Sequence, residues 1–428
     1  MAATQNHLHL VTASTTDAFE RYRRDFPAFE RSRATSHDAR PAVHYLDNAA
    51  TTQQPRPVID AMTRVVEQGL GPVHRGLYPW AEEASDTYEQ ARAAVAGFVG
   101  SADPNELIFT RSATDSINLV AAGWLHQRLS AADRVWVTRM EHHANWLPWQ
   151  RVCRETGAEL RVIELHGDGR LDLESADGLF DPRTRLIALT HQSNVLGVET
   201  PVRAITAEAH RHGIPVLVDA AQTVAHRPVD VTKLDCDFLA FSAHKMHGPT
   251  GIGALWARSE RLAETEPVSL GGGMVDLVRD DDALWSSIPQ RFEAGSPNLV
   301  GAAGFAAAAR YLDGVGRPQI AEHLAELTGR AASALQSVPG LRLLPQDPPA
   351  ARNAILSFTI DGVHPHDIAQ VAAEHDVALR AGHHCCQPLM QHLGVAATAR
   401  ASFALYNEPA DVDALATAVE DAVRVMRR

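Results

Sequence analysis

Two short segments carry an acid and a base at positions where open α/β sheets hold their ligands. The run Ile214–Val218 is apolar and ends in Asp219, and Phe238–Phe241 is apolar and leads through Ser242, Ala243 and His244 into Lys245. Each reads as a buried parallel strand, and ligands sit outside the carboxyl ends of such strands. A buried carboxylate needs a cationic or hydrogen-bonding partner. An Asp to hold a pyridinium nitrogen and a Lys to form a Schiff base are the two protein groups that pyridoxal phosphate demands. The same spacing also fits an Asp capping a helix and a Lys on the surface, so the pair by itself leaves both readings open.

Other residues fall at comparable places. Phe109–Asp115 joins a strand to a helix through small and hydroxyl residues, where backbone N–H groups and the Thr114 hydroxyl would make an anion site; an ordinary helix cap is the plainer alternative. Ser242 and His244 would add donors. His142, in Met140–Asn145, follows the strand Arg134–Thr138 and could stack on a flat ring or shuttle protons, although a chain with 22 histidines makes any one of them a weak signal. The segment Arg380–Pro388 (RAGHHCCQP) is the sharpest. Adjacent ligands cannot wrap a tetrahedral ion as spaced pairs do, so no metal is expected there. A nucleophilic thiolate fits better, with Arg380, His383 and His384 favouring the ionised form. Arg400, in an otherwise apolar strand, would clamp a carboxylate bidentately or form a structural ion pair; pattern does not separate the two. Gly248–Gly253 has the wrong glycine spacing for a dinucleotide fingerprint, and a strand follows it.

The elements that must position these groups form an α/β chain. Strand candidates at Leu107–Thr110, Arg134–Thr138, Leu160–Leu165, Leu186–Thr190, Pro215–Asp219 and Phe238–Phe241 alternate with helices, among them Val202–Arg211. That rhythm predicts a mainly parallel sheet flanked by helices. Amphipathic helices are expected at Asp17–Arg24, Pro57–Gln68 and Ala81–Val99. After Gly295–Pro297 the texture changes: helices at Leu299–Leu312, Gln319–Leu335, His366–His375 and Ala410–Val425 surround strand candidates Ala354–Ile360, Val377–Arg380 and Ala401–Tyr406. The expected division is an arm at 1–40 (its first 14 residues a loose tail), a large domain at 41–309 and a smaller α+β domain at 310–428.

Composition narrows the class further. The 428 residues are 45% hydrophobic and 21% charged, which supports a folded protein of more than one domain. A net charge of −13 without a Lys/Arg run argues against a nucleic-acid binder. No apolar stretch is long enough for a membrane helix, and no signal peptide is visible. Of the four cysteines, Cys153 and Cys236 are isolated and Cys385 and Cys386 adjacent, so no disulfide framework is offered and a reducing, cytoplasmic setting is expected.

Taken together, nine motifs resemble the cysteine desulfurases of the class V aminotransferase family, in the group that holds the sulfur-mobilisation desulfurases and selenocysteine lyases. They are Tyr45–Thr52, Val73–Gly76, Met140–Asn145, Ser193–Gly197, Val218–Gln222, Phe241–Lys245, Phe292–Gly295, Arg380–Cys385 and Arg400–Ser402. The resemblance implies a type I fold of pyridoxal phosphate enzymes, with Lys245 as the Schiff-base lysine and Asp219 as partner of the pyridine nitrogen. It implies that Gln222 meets the ring phenolate oxygen, that His142 stacks on the ring, and that Thr114, Ser242 and His244 bind the phosphate. Ser296 matches a position reaching the phosphate from another subunit, implying a homodimer with shared active sites. Asn194 and Arg400 would hold the substrate carboxylate, with Arg380, His74 and Arg75 also at the substrate, and Cys385 would form the persulfide.

The implied reaction takes L-cysteine to L-alanine. Lys245 serves as base at Cα, and the Cys385 thiolate attacks the substrate sulfur. The sulfur would pass to a protein acceptor of the SufE or SufU kind or a scaffold, with iron–sulfur cluster assembly among its destinations. The same fold also serves selenocysteine lyases, C–S lyases and epimerases, and a non-catalytic sulfur carrier would have lost Lys245 or Asp219. The chain departs from the family pattern in places. Cys386 replaces a small apolar residue and is expected to be silent. Ala113 lacks a hydroxyl but keeps its backbone N–H for the phosphate. His247 stands for an aromatic hydroxyl, Ser296 for Thr, and Tyr78–Trp80 is unusual.

Overall fold

The computed structural model describes residues 15–30, 43–346 and 352–427; the tail expected at 1–14 lies outside the described residues. Seven strands form the large sheet: β1 (Leu107–Thr110), β2 (Arg134–Thr138), β3 (Glu159–Ile163), β4 (Thr184–Thr190), β5 (Val216–Asp219), β6 (Phe238–Ser242) and β7 (Gly253–Ala257). Their order is β1-β7-β6-β5-β4-β2-β3, and β7 is antiparallel to both its neighbours while the other pairings are parallel. Every residue of β5, β6 and β7 is buried, as expected of strands covered by helices on both faces. Because the other six strands run one way, their carboxyl ends share one edge. That edge carries the site.

The close fit of β7 explains one glycine. A Cβ on Gly253 would lie 2.6 Å from the Ser112 Cα. Only a residue without a side chain lets the turn after β1 lie against β7.

The small sheet contains β8 (Leu341–Leu344), β9 (Ile355–Ile360), β10 (Arg380–Gly382) and β11 (Thr398–Ser402), ordered β8-β9-β11-β10 with antiparallel pairings. Three features differ from the sequence-based expectation. The candidate at Val377–Arg380 divides, since Val377–Ala378 pairs in parallel with His44–Tyr45 and Arg380 begins β10. The candidate at Ala401–Tyr406 ends early, and Phe403–Tyr406 is a buried turn whose apolar residues imitate a strand. β8 and an exposed hairpin, Val275–Val278 with Ala283–Trp285, lack a recognisable alternation. Helix positions agree within a few residues, although the helix from Ala113 widens into a π-turn at Val120–Leu125. No helix among the described residues is long and apolar enough to cross a membrane.

A buried ion pair fixes the outer edge of the large sheet. Arg92, fully buried on the helix Pro79–Phe98, donates to Glu293 Oε1 at 2.6 Å and Oε2 at 2.8 Å, and to the Leu107 carbonyl at 2.9 Å. Glu293 in turn accepts from the Phe109 N–H at 2.7 Å and the Tyr88 hydroxyl at 2.9 Å. Removing one partner of such a pair strands the other charge in a low-dielectric interior. Arg92→Leu is therefore expected to destabilise the protein by about 3–5 kcal/mol, read as a shifted urea-unfolding midpoint. A loss near zero would show that Glu293 does not depend on the Arg92 charge.

Candidate active site

At the carboxyl edge of the large sheet lies a cavity of about 210 Å³. The segments after β1, β2, β4, β5 and β6 deliver Ser112–Thr114, His142, Asn194, Asp219 with Gln222, and Ser242 with His244 and Lys245 to its wall. Arg380, His384 and Arg400 close it from the small sheet, and Ala49 and Ala50 from the segment after Tyr45. Asp219, Lys245, the His142 imidazole and the hydroxyl-rich turn thus converge, as their positions at strand ends predict.

Burial sets the charges. It pushes the Asp219 carboxyl up, partly offset by the Ala221 N–H, which donates to Oδ1 at 2.9 Å, and by the charge of Lys245. It pushes the Lys245 amine down, partly offset by Asp219. His142 is lowered to about 3 by burial and by the positive charge of Lys245, so it is a neutral ring. Its Nδ1 accepts the Ala144 N–H at 3.1 Å, which leaves the proton on Nε2. His244 is lowered to about 4 for the same two reasons.

Polar partners refine the expected roles. Gln222 donates through Nε2 to the Ala49 carbonyl at 2.9 Å, which orients its amide. The Ala113 N–H, expected to be free for a phosphate, donates to Ser242 Oγ at 2.7 Å instead. That contact welds the turn after β1 to the turn after β6. The Lys245 turn is also held from the Tyr45–Thr52 motif, where the Thr51 and Thr52 hydroxyls donate to the His244 carbonyl at 3.2 and 3.0 Å.

Arg400 turns out to be both ion pair and cavity wall. It is 1% exposed and donates to Asp47 Oδ1 and to the Asn194 carbonyl, each at 2.9 Å, while also lining the cavity. The Asn194 amide is occupied as well. Nδ2 donates to the His384 carbonyl at 2.9 Å, and Oδ1 lies 3.0 Å from Cys386 Sγ.

Beside the cavity, Cys385 is partly exposed, and its carbonyl accepts the His143 N–H at 2.7 Å. The expected help from His384 does not arise. Its ring is buried against Thr398, with Nε2 2.8 Å from Oγ1, and burial lowers it to about 3, so it carries no positive charge to favour a thiolate. His383 does lie close, its Nδ1 accepting the Cys385 N–H at 3.2 Å.

Three expected residues are not brought to this cavity. His74, paired with Glu89 at 3.0 Å, and Arg75 line a separate cavity of about 420 Å³ with Gly272, Gly273 and Glu293. Ser296 lines another, with Tyr88, Phe109 and Arg111. Conversely, Asp47, Thr51 and Thr52 contribute without having been expected to, although they belong to the Tyr45–Thr52 motif. Glu141 was not expected either; its buried carboxyl accepts from Thr138 Oγ1 at 2.6 Å, the Thr190 N–H at 2.8 Å and Asn145 Nδ2 at 2.6 Å. Burial still raises Glu141 to about 8.

The donor set fits pyridoxal phosphate: a buried carboxylate in want of a cation, an amine in the same cavity, a neutral imidazole, and a turn of small and hydroxyl residues facing Ser242 and His244. Fold and site thus define an enzyme of the pyridoxal phosphate class. The aminotransferase class-V family model matches residues 44–415, and the chain belongs to that family. It is 44% identical over 406 residues to a cysteine desulfurase of Klebsiella pneumoniae, covering 95% of this chain and 98% of that one. It is 43% identical over 405 residues to a probable cysteine desulfurase of Streptomyces coelicolor, covering 94% and 96%. Among solved structures, the Escherichia coli cysteine desulfurase CsdA, in an S-sulfonic acid form, superposes with a TM-score of 0.87 at 38% identity, covering 95% of this chain and 99% of that one. The apo cysteine desulfurase of Thermococcus onnurineus gives 0.88 at 36% identity, covering 95% and 98%. The cofactor is pyridoxal 5′-phosphate.

Asp219→Asn separates the two jobs of that carboxylate. The substitution keeps the shape and removes a buried charge. Cofactor affinity is expected to fall at least about tenfold in a reconstitution titration, a loss of one charge-assisted hydrogen bond. The cofactor-free protein should unfold at an unchanged or higher temperature. A less stable apoprotein would mean that Asp219 supports the fold itself.

Proposed function

We propose that the protein is a pyridoxal phosphate-dependent L-cysteine desulfurase that forms L-alanine and a persulfide on Cys385. The observation that carries this reading is the arrangement of one partly exposed thiol, Cys385, on a loop tied to the residues that follow β2 and β4. Those residues are His143 and Asn194, next to the cavity of Lys245 and Asp219. A lyase that released free sulfide would need no protein thiol there.

The roles are those that the family resemblance implies for the residues this cavity brings together. Asp219 would hold the pyridine nitrogen, Gln222 the phenolate oxygen and His142 the ring face, with Thr114, Ser242 and His244 at the phosphate. Bound there, the cofactor supplies the electron sink for bond breaking at the substrate Cα. Arg400 and Asn194, with Arg380 beside them, take the substrate carboxylate. Lys245, whose burial favours the neutral amine, takes the Cα proton. The Cys385 thiolate attacks the substrate sulfur, the carbon–sulfur bond breaks with its electron pair left on the substrate carbon, which is protonated to give L-alanine, and the sulfur stays on Cys385 as a persulfide.

We further read the chain as a homodimer whose second copy brings Ser296, His74 and Arg75 to this cavity. Support comes from their position away from the chain's own Lys245 and from the exposed Leu77, Tyr78 and Trp80 that follow Arg75. We read the chain as a large domain at 41–309 and a smaller one at 310–428, with the boundary inside the helix Leu299–Val315. The partial exposure of Cys385 supports transfer to a protein acceptor of the SufE or SufU kind, for instance in iron–sulfur cluster assembly. The free cysteines support a cytoplasmic setting.

Incubation with L-cysteine without reductant, followed by peptide mass mapping, is expected to show one extra sulfur on Cys385 and released alanine. A cofactor-loaded protein that gains no sulfur would defeat the reading. Lys245→Ala should lose the visible absorbance of the bound cofactor. Cys385→Ser should keep that absorbance while persulfide formation disappears and alanine release drops to background.

A further inference from the structure

We infer that Cys386 is a positioning residue: its thiol and the Asn194 amide form a clasp that holds the Cys385 loop against the cavity. The inference rests on the desulfurase reading of Lys245 and Cys385. Cys386 is fully buried, with Sγ 3.0 Å from Asn194 Oδ1. The same amide donates through Nδ2 to the His384 carbonyl at 2.9 Å. One side chain from the segment after β4 therefore grips the loop on both sides of Cys385.

In this chain the Asn194 amide favours a donor at position 386. With Nδ2 committed to His384, the amide presents Oδ1, an acceptor, to the interior. A thiol answers it, and burial keeps the proton on that sulfur by raising the Cys386 thiol. A small apolar side chain would leave Oδ1 facing an apolar surface without a partner.

What the clasp resists is backbone strain. His384 and Cys385 have φ of 52° and 56°, two consecutive non-glycine residues in the left-handed region. Such conformations persist where surrounding contacts over-determine them. Other ties exist: the Cys385 carbonyl accepts the His143 N–H at 2.7 Å, and His143 Nε2 accepts the Gln387 N–H at 3.2 Å. Asn194 differs from these because it also belongs to the cavity, where its carbonyl accepts from Arg400. A carboxylate that recruits Nδ2 must take it from the His384 carbonyl. The thiol of Cys386 biases the amide toward the loop, so occupancy of the cavity and freedom of Cys385 become coupled.

The test compares the cofactor-loaded wild type with Cys386→Ala and Cys386→Ser. Without substrate, the rate at which iodoacetamide alkylates Cys385 is followed by fragment-ion mapping. Cys386→Ala should raise that rate about threefold or more, the effect of losing one net hydrogen bond, and should lower KM for L-cysteine because the amide is freer. Cys386→Ser, whose hydroxyl can donate to Oδ1, should restore both values toward wild type. Visible absorbance should persist in each variant, which separates a loosened loop from a damaged site. An unchanged alkylation rate in Cys386→Ala, or equal increases in both variants, would overturn the clasp. Failure of the desulfurase reading shows separately, as a wild type that yields no alanine from L-cysteine, and the alkylation series still decides the clasp in that event.

Discussion

The buried guanidinium of Arg400 ties the molecule together around its cavity. Arg400 sits in β11, flanked by β9 and β10, and is 1% exposed. Such a group cannot be left unpaired in the interior without a large desolvation penalty. Its partners come from elsewhere in the chain: the Asp47 carboxylate from the segment after Tyr45 and the Asn194 carbonyl from the segment after β4. Small sheet, large sheet and N-terminal segment must therefore meet in one arrangement. The cavity lies between them at the point where they meet.

That constraint shapes the electrostatics of the cavity. Burial lowers Arg400 and Lys245 and raises Asp219, so low polarity acts on each group against its charged form. The imidazoles of His142, His244 and His384 are held neutral in the same way. Neutral rings can stack and accept hydrogen bonds without competing with arginine for anions. The positive charge available to an anion in the cavity is thereby concentrated on Arg400 and Arg380.

Much of this was legible in the sequence, for a definite reason. Residues at the carboxyl ends of buried strands have their place set by chain direction, so Asp219, Lys245, His142 and Thr114 were candidates for one crevice from the strand pattern, whereas Asn194 entered only through the family resemblance. Arg400 was legible as a cation out of place in an apolar strand. Hydrogen-bond partners were not, because they depend on packing: Ser242 takes the N–H of Ala113, and His384 turns from Cys385 to Thr398. The small sheet was read less well than the large one. β8 is short and half exposed, and the buried turn Phe403–Tyr406 is as apolar as a strand. Ser296, His74 and Arg75 mark another boundary, since a single chain does not bring them to Lys245.

The two adjacent cysteines show how little residue type decides by itself. Cys385 and Cys386 share a neighbourhood rich in histidine and arginine, and pattern alone treats either as a nucleophile. Backbone geometry separates them. Left-handed turns at His384 and Cys385 leave the Cys385 side chain partly exposed, while Cys386 faces inward to Asn194 and the Met140 carbonyl. Burial then raises the Cys386 thiol, which makes it a proton donor rather than an attacking thiolate. Holding two non-glycine residues in that conformation has a free-energy cost of about 1–3 kcal/mol each, and the contacts of His143 and Asn194 offset it. Strain and the hydrogen bonds that sustain it thus decide which of the two thiols is exposed, and the same bonds connect Cys385 to the residues that line the cavity.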